Sequence, residues 1–428
     1  MKALLINAHS CCGSPPWGLV LIYRKLWQLG AKVTLLDLPN RLQLGIESKK
    51  YDVVLISSDC FSLNLLRTIQ TMCKDVYETK QICIGGPCTF LHKVIEEYSS
   101  RALIVKGYNL DFLKDLSSII GQTGVIETGP YYGKYEFLDI KDTAEYIKVL
   151  MMLPIHLERH NNITIRMWHS FMYQGCHRKC RYCRSNPIVN YRSEKDYETE
   201  LKIATNIAKE LRTMKIARTI LFVDHSPMVT KKHVDEWRHY RQLFFHCHAT
   251  PDQYKFVINW LYPLRRIISA VDIGFESFGR YGLLLGKNVS DPRLMFDLRW
   301  IHEILNAGLR VKINLLRPIK YTKYYSRGYI ESLRRLIKLK QKFPELIVTV
   351  VAYMDYKTED YIDADTGFLG VPGAYKGYLG VDGKVYPCQY PFLHSSKVQE
   401  ALQQTVNIKN VDKDHYWWVA SQILHHLY

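Results

Sequence analysis

Ile163-Thr-Ile-Arg-Met-Trp-His-Ser-Phe-Met-Tyr-Gln-Gly-Cys-His-Arg-Lys-Cys-Arg-Tyr-Cys-Arg184 is the stretch that organises the rest of the chain. It opens on a strand-like apolar run, Ile163 to Trp168, and passes into a loop carrying Cys176, Cys180 and Cys183 in Cys-x3-Cys-x2-Cys spacing. Three thiolates on one loop can hold three corners of a four-iron cluster and leave the fourth iron open to a substrate group. The alternative is zinc, completed by His177 or a distant residue. Its usual form is a pair of Cys-x2-Cys knuckles, and the sequence has no second pair.

Downstream of the loop, apolar strands alternate with helix-length segments. The strands are read at Ile163 to Trp168, Thr219 to Val223, Leu243 to Cys247, Ile268 to Gly274, Arg310 to Leu315 and Leu346 to Ala352. Six strand-helix units predict an α/β fold with a partial (β/α)6, TIM-like barrel over residues 163–353. Its active site would lie at the carboxyl ends of the strands, where the cysteine loop begins.

Upstream, residues 1–125 carry a second alternating series, with strands at Lys2 to Asn7, Lys32 to Leu36, Asp52 to Ser57, Gln81 to Ile84 and Ala102 to Val105. Helical spacing at Leu19, Ile22, Tyr23, Leu26 and Leu29 fits a doubly wound, Rossmann-like parallel sheet. Such sheets bind ligands at the strands' carboxyl ends. Here those ends carry Asn7-Ala-His-Ser10, Ser57-Ser-Asp59 and Gly85-Gly-Pro87. Residues 126–162 are Tyr-rich and Pro-punctuated and read as the connection between domains. From residue 354 to 428 a small extension follows. It holds a hairpin signature around Asp382-Gly383 and a short aromatic helix ending at Tyr428.

With 428 residues, 47% of them hydrophobic and 23% charged, the chain has material for more than one core and no composition that favours disorder. No apolar run approaches the roughly 20 residues that span a bilayer, so no transmembrane segment is expected. Eleven scattered cysteines with one metal-like cluster suit a reducing compartment rather than a disulfide framework, and the expected location is cytoplasmic. The formal charge of +17 permits an anionic partner, although a basic solvated surface with no such role is the preferred reading.

The cysteine spacing, with Tyr182 before the third thiol, resembles the hallmark of the radical S-adenosylmethionine (SAM) superfamily. The resemblance implies a 4Fe-4S cluster on Cys176, Cys180 and Cys183 whose open iron is chelated by SAM. It further implies reductive cleavage of SAM to methionine and a 5'-deoxyadenosyl radical that abstracts hydrogen from an unactivated carbon. Leu221-Phe-Val-Asp-His225 is similar to the family's second-strand motif, and Ile273-Gly-Phe-Glu-Ser277 with Leu283-Leu-Leu-Gly-Lys287 to its fourth. Tyr182, Asp224, Glu276 and Ser277 are thereby expected to contact SAM. An isolated Glu-Ser at a strand end would read as a helix cap, but its position in this strand series favours the functional reading. Asn306-Ala-Gly-Leu-Arg-Val-Lys-Ile313 resembles the next helix-to-strand junction, with Gly308 ending the helix.

Ser14-Pro-Pro-Trp-Gly-Leu19, Gly30-Ala-Lys-Val-Thr-Leu-Leu-Asp37 and Ile84-Gly-Gly-Pro87 together resemble the cobalamin-binding domain that precedes the barrel in one large class of these enzymes. The resemblance implies cobalamin contacts from Ser10, Ser57, Ser58, Gly85, Gly86 and Pro87. The Asp-x-His-x-x-Gly loop whose histidine ligates cobalt is missing, and His9 has other flanks. Val105-Lys-Gly-Tyr-Asn109 departs from the Arg-Gly-Glu turn of relatives. Auxiliary clusters need several cysteines in the C-terminal extension, which has only Cys388.

The expected activity is C-methylation, with SAM, cobalamin and an external electron donor. The substrate would be a small molecule, lipid or peptide. Cyclisation, ring contraction or carbon-carbon coupling with the same cofactors is the alternative within the class. A metal-stabilised nucleic-acid-binding protein using the basic stretches Arg178 to Arg192 and Arg334 to Lys342 is the alternative outside it. Against that last reading, no aromatic-rich segment matches a base-stacking module.

Overall fold

The computed structural model describes residues 1–8, 17–38, 42–45, 48–58, 78–86, 89, 95–96, 101–106, 112–113, 117–128, 158–160, 163–178, 180, 190–215, 217–284, 289–317, 323–352, 362–363, 368–369, 377–379 and 385–386. They fall into two compact units that divide between His156 and Leu157.

The first unit contains β1 (Lys2–Ala8), α1 (Trp17–Gln28), β2 (Lys32–Asp37), β3 (Leu42–Leu44), β4 (Val53–Ser58), β5 (Gln81–Gly85), β6 (Ala102–Lys106) and β7 (Gly124–Glu127). They make one sheet in the order β3-β2-β1-β4-β5-β6-β7. All pairs are parallel except β2 with β3. The strands are near-continuous aliphatic runs, as parallel strands covered on both faces must be. Ala3, Leu4, Leu5 and Ile6 are all buried. The five strands read from the sequence are present, and the order of pairing reverses between β1 and β4. In open parallel sheets such a reversal leaves a crevice at the strands' carboxyl ends. Two further strands were not expected. β3 is too short to show a period, and β7 runs across the boundary placed at residue 125.

The second unit has a sheet of nine strands: β8 (Glu158–His160), β9 (Ile163–Ser170), β12 (Thr219–Asp224), β13 (Phe244–Ala249), β14 (Ile268–Glu276), β15 (Val311–Arg317), β16 (Ile347–Ala352), β19 (Gly377–Leu379) and β20 (Val385–Tyr386). Its centre is six parallel strands in chain order, β9-β12-β13-β14-β15-β16, the same six that the sequence predicts. β8 pairs antiparallel outside β9 and falls within the expected connection 126–162. At the other edge β19 adds antiparallel to β16 and β20 pairs antiparallel with β19, while the Asp382-Gly383 turn read from the sequence lies outside the described residues. Two small ladders, β10 (Tyr173–Gln174) with β11 (Asn190–Tyr191) and β17 (Ile362–Asp363) with β18 (Phe368–Leu369), stand apart from the main sheet.

Helices α2 (Glu194–Thr213), α3 (Lys231–Trp237), α4 (Arg280–Leu284), α5 (Arg299–Asn306) and α6 (Lys323–Lys342) lie between the strands. Ser193 caps α2 by accepting the Asp196 N–H, and Glu194 and Asp196 place negative charge in its first turn. α5 ends where the sequence predicts. Gly308 takes φ +76°, its N–H bonds to the Leu305 carbonyl, and the Leu309 N–H bonds to that of Ile304. Those two bonds satisfy carbonyls that the helix end leaves open. Among the described residues no helix is long and apolar enough to cross a membrane. The terminal aromatic helix expected at 414–428 lies outside the described residues.

Candidate active site

The cysteine loop leaves the carboxyl end of β9 and is fixed at both of its ends. Tyr173 pairs with Tyr191 and Gln174 with Asn190, so the β10–β11 ladder clasps the base of the loop. Gly175 then adopts φ +86°, a left-handed turn that a side chain would oppose, and delivers Cys176. Cys176 is buried and Cys180 half-buried; neither is in a disulfide. The Cys180 N–H bonds to the Arg178 carbonyl at 2.8 Å. Arg178 in turn pairs with Asp252, beyond β13, whose other oxygen accepts the N–H groups of Ser290 and Asp291. Cys183 and Tyr182 lie outside the described residues.

Beneath the loop, two buried networks hold its ends. In the first, Glu200 of α2 accepts the Trp168 indole N–H at 2.7 Å, the Ser170 hydroxyl, and the Arg192 guanidinium at 2.6 Å. Arg192 also donates to the Phe171 carbonyl, and its backbone N–H to that of Met172. One ion pair therefore joins the end of β9, the return of the cysteine loop and the start of α2.

In the second network, Asp224 at the carboxyl end of β12 is 1% exposed. It accepts the Tyr197 hydroxyl at 2.6 Å and the Ser226 N–H at 2.8 Å, with the His233 ring at 3.5 Å. Burial pushes the Asp224 carboxyl up, but His233 and these donors outweigh it and hold it below the ordinary carboxylate range. Burial and the adjacent Asp224 push the Tyr197 phenol well up, so it stays a donor. The Ser226 hydroxyl accepts the backbone N–H groups of Met172 and Tyr173 at 2.9 and 3.1 Å. The Tyr173 hydroxyl closes the circuit by donating to the Met228 carbonyl at 2.6 Å. Asp224 thus stands at its predicted strand end, where its oxygens brace the loop that aims Cys176.

Glu276 ends β14 in a left-handed conformation, φ +63°, beside a register shift against β15. A non-glycine residue there stores backbone strain on the order of 1–3 kcal/mol, and such outliers concentrate at working sites. Ser277 is 2% exposed, with its hydroxyl 3.4 Å from that of Ser332 on α6, and Ser332 also accepts the Phe278 N–H. This serine therefore touches the helix that follows β15. Leu283 and Leu284 lie in α4, whereas the Gly286-Lys287 pair lies outside the described residues.

Sequence reasoning missed a polar row along the same sheet. Asp272, in the middle of β14, is met by the Lys312 ammonium at 2.5 Å and by the Asn314 amide, both from β15. The His246 and His248 rings of β13 approach it at 3.7 and 3.9 Å. His225, just past β12, stacks on His248 with ring centroids 5.5 Å apart. The signal was the two-residue alternation of polar groups, His246 and His248, then Lys312 and Asn314, inside strands otherwise apolar.

In the first unit, Ser57 and Ser58 end β4 beside Gly85 and Gly86 at the end of β5. Gly86 has φ +90°, and a Cβ there would lie 2.7 Å from the Ser58 carbonyl oxygen and 2.8 Å from the Ser57 hydroxyl. Contact inside the protein thus explains this glycine. Gly85 differs: among the described residues, a Cβ there would meet nothing nearer than the Ile56 carbonyl oxygen at 4.0 Å. Among the described residues the result is a shelf of two serines and two glycines. Ser10, His9 and Pro87 lie outside the described residues, as does Cys388.

No known family profile matches the sequence, and no curated protein matches it. Among solved structures, coproporphyrinogen III oxidase from Escherichia coli, described as a radical SAM enzyme, aligns at 14% identity with a TM-score of 0.28, over 46% of this chain and 45% of the oxidase. Spore photoproduct lyase in complex with a dinucleoside spore photoproduct aligns at 13% identity with a TM-score of 0.29, over 79% of this chain and 74% of the lyase. At such scores neither likeness decides fold or activity, and the functional reading rests on the cysteine loop and its supports.

Proposed function

We propose that this chain is a radical SAM enzyme that uses cobalamin and methylates an unactivated carbon. The observation that carries the reading is the placement of the Cys-x3-Cys-x2-Cys loop. It follows the first of six consecutive parallel strands and is clasped at its base by β10 and β11. We read those six strands as a partial (β/α)6 barrel and the first unit as a Rossmann-like cobalamin domain, in a cytoplasmic protein.

Cys176, Cys180 and Cys183 would hold a 4Fe-4S cluster. Their donor set fits, because three thiolates leave one iron for SAM. When bound, such a cluster supplies the electron that splits SAM. The protein's own part is to aim the thiolates. The Arg192–Glu200 pair and the Asp224–Ser226 brace fix the start and return of the loop. Strained Glu276 is assigned to SAM, with Tyr182 and Ser277 as further contacts, while Asp224 acts through the loop it braces. Cobalamin would rest on the shelf of Ser57, Ser58, Gly85 and Gly86, flanked by Ser10 and Pro87, and would supply the methyl group. Among the described residues no atom nearer than 4.0 Å would oppose a Cβ at Gly85, which supports this placement. An external electron donor and a small-molecule, lipid or peptide substrate complete the reaction.

The test is anaerobic reconstitution with iron, sulfide, hydroxocobalamin and SAM, measuring iron, corrinoid absorbance and both nucleoside products. Methylation yields S-adenosylhomocysteine together with 5'-deoxyadenosine. 5'-Deoxyadenosine alone would replace methyl transfer with a cyclase or coupling activity, and neither nucleoside would remove the radical reading.

A further inference from the structure

The row of His246, His248, Asp272, Lys312 and Asn314 takes no part in bracing the cysteine loop. It runs through the β13–β15 part of the sheet, with His248 opposite Asp272 and Asp272 opposite Lys312 in the strand register. Polar side chains in the middle of parallel strands give up hydration, so each needs a partner or a ligand. Asp272, 2% exposed, is fully engaged by Lys312 and Asn314. Lys312 spends its charge on that carboxylate. One buried group is left over: His248 Nε2 has no hydrogen-bond partner among the described residues. Nε2 itself is covered, but the side chain as a whole is 27% exposed, so the nitrogen lies just beneath an accessible part of this side of the sheet.

Orientation decides what that nitrogen can do. His248 Nδ1 faces the Asp272 carboxylate at 3.9 Å, wider than a hydrogen bond yet close enough for its field to favour the hydrogen on Nδ1. Nε2 is then a lone-pair acceptor. His225 packs against the ring at an interplanar angle of 28°, fixing its plane. Stacked rings do not converge their lone pairs on one ion, and among the described residues no group of His, Cys, Asp and Glu could hold a metal ion. Nor is the row cationic. Lys312 is neutralised by Asp272, and burial depresses the basicity of both imidazoles, His248 to about 4.

We propose that His248 Nε2 is a substrate-binding acceptor, oriented by Asp272 and His225, that takes a neutral hydrogen-bond donor, a hydroxyl or amide N–H, of the substrate. The inference rests on the radical-enzyme reading for its setting and narrows the substrate class. Despite the chain's formal charge of +17, the group recognised here is uncharged.

The experiment uses the full chain and four probes: acetamide and phenol as neutral donors, acetate and inorganic phosphate as anions. Binding is followed by ligand-observed NMR. Acetamide and phenol should bind in preference to the anions. His248→Phe, which keeps a flat ring against His225, should weaken them about tenfold, the loss of one hydrogen bond to a buried group. His248→Gln should retain most of the binding. Should either variant unfold, histidine labelled with nitrogen-15 in the unaltered chain gives a second readout. The His248 Nε2 signal should be that of an unprotonated nitrogen and should move on adding acetamide. Preference for acetate or phosphate, unchanged binding by His248→Phe, or a protonated Nε2 would each overturn the proposal. None of these readouts needs the cluster or SAM, so a negative result here leaves the nucleoside test of the radical reading untouched.

Discussion

Arg192 and Glu200 form an ion pair of 2.6 Å in which each side chain is 1% exposed. They are separated by about two helical turns in sequence, yet they join three segments, because Glu200 also holds Trp168 and Ser170 from β9. Removing one partner leaves a buried charge uncompensated, and Arg192→Ala or Glu200→Ala should each cost about 3–5 kcal/mol in denaturant unfolding. Replacing both with apolar residues should cost less than the two single changes added together. A double-mutant cycle measures the difference.

The cysteines should divide by environment. Burial pushes the Cys83 thiol up to about 12 and raises that of Cys247, so both stay protonated and inert. In the native apo protein they should resist alkylation, while Cys180 reacts. After reconstitution, Cys176→Ala, Cys180→Ala and Cys183→Ala should each lose most bound iron, measured colorimetrically. Cys83→Ala and Cys247→Ala should keep it.

At Glu276 the backbone and the side chain can be separated. Glycine is at ease at φ +63° and alanine is not, so Glu276→Gly should be about 1 kcal/mol more stable than Glu276→Ala. Both should bind SAM more weakly than the unaltered chain by isothermal titration. Equal stability of the two variants would show that the left-handed turn relaxes without cost.

Acid should destabilise the second unit in two stages. Burial lowers His248 from 6.5 to about 4, and His246 in the same direction, against the opposing pull of Asp272. Between those values the unfolded chain binds protons that the folded chain does not, so stability falls as the pH drops from 6.5 towards 4. Below 3.8, Asp224 and Asp272, held under the ordinary carboxylate range, add their own loss. Thermal unfolding across this range should show a slope in the upper stage that flattens in His248→Gln.

The strand series was legible in the sequence because buried parallel strands are short aliphatic runs. All eleven predicted strands stand within a few residues of their expected positions. Asp224 shows where legibility stops. Its place at a strand end follows from local sequence, but what its oxygens touch depends on Tyr197, 27 residues away on another element. A carboxylate that braces the fold and one that faces a ligand look alike at that level. Arg192 and Glu200 likewise read as an ordinary charged helix start, because burial is a property of the assembled sheet. The His246 to Asn314 row was visible only as alternation across strands whose register the sequence does not state.

The β19–β20 hairpin has a practical consequence for anyone expressing residues 163–353 alone. A chain cut at residue 353, the boundary that hydrophobic patterning suggests, would strip the hairpin from β16. That strand reads Ile347-Val-Thr-Val-Val-Ala352, without a charge or a proline to discourage pairing. Bare, it would be an adhesive rim on which other copies could stack, and the truncated protein should aggregate where one extended through Tyr386 stays dispersed. Light scattering of the two lengths would show it.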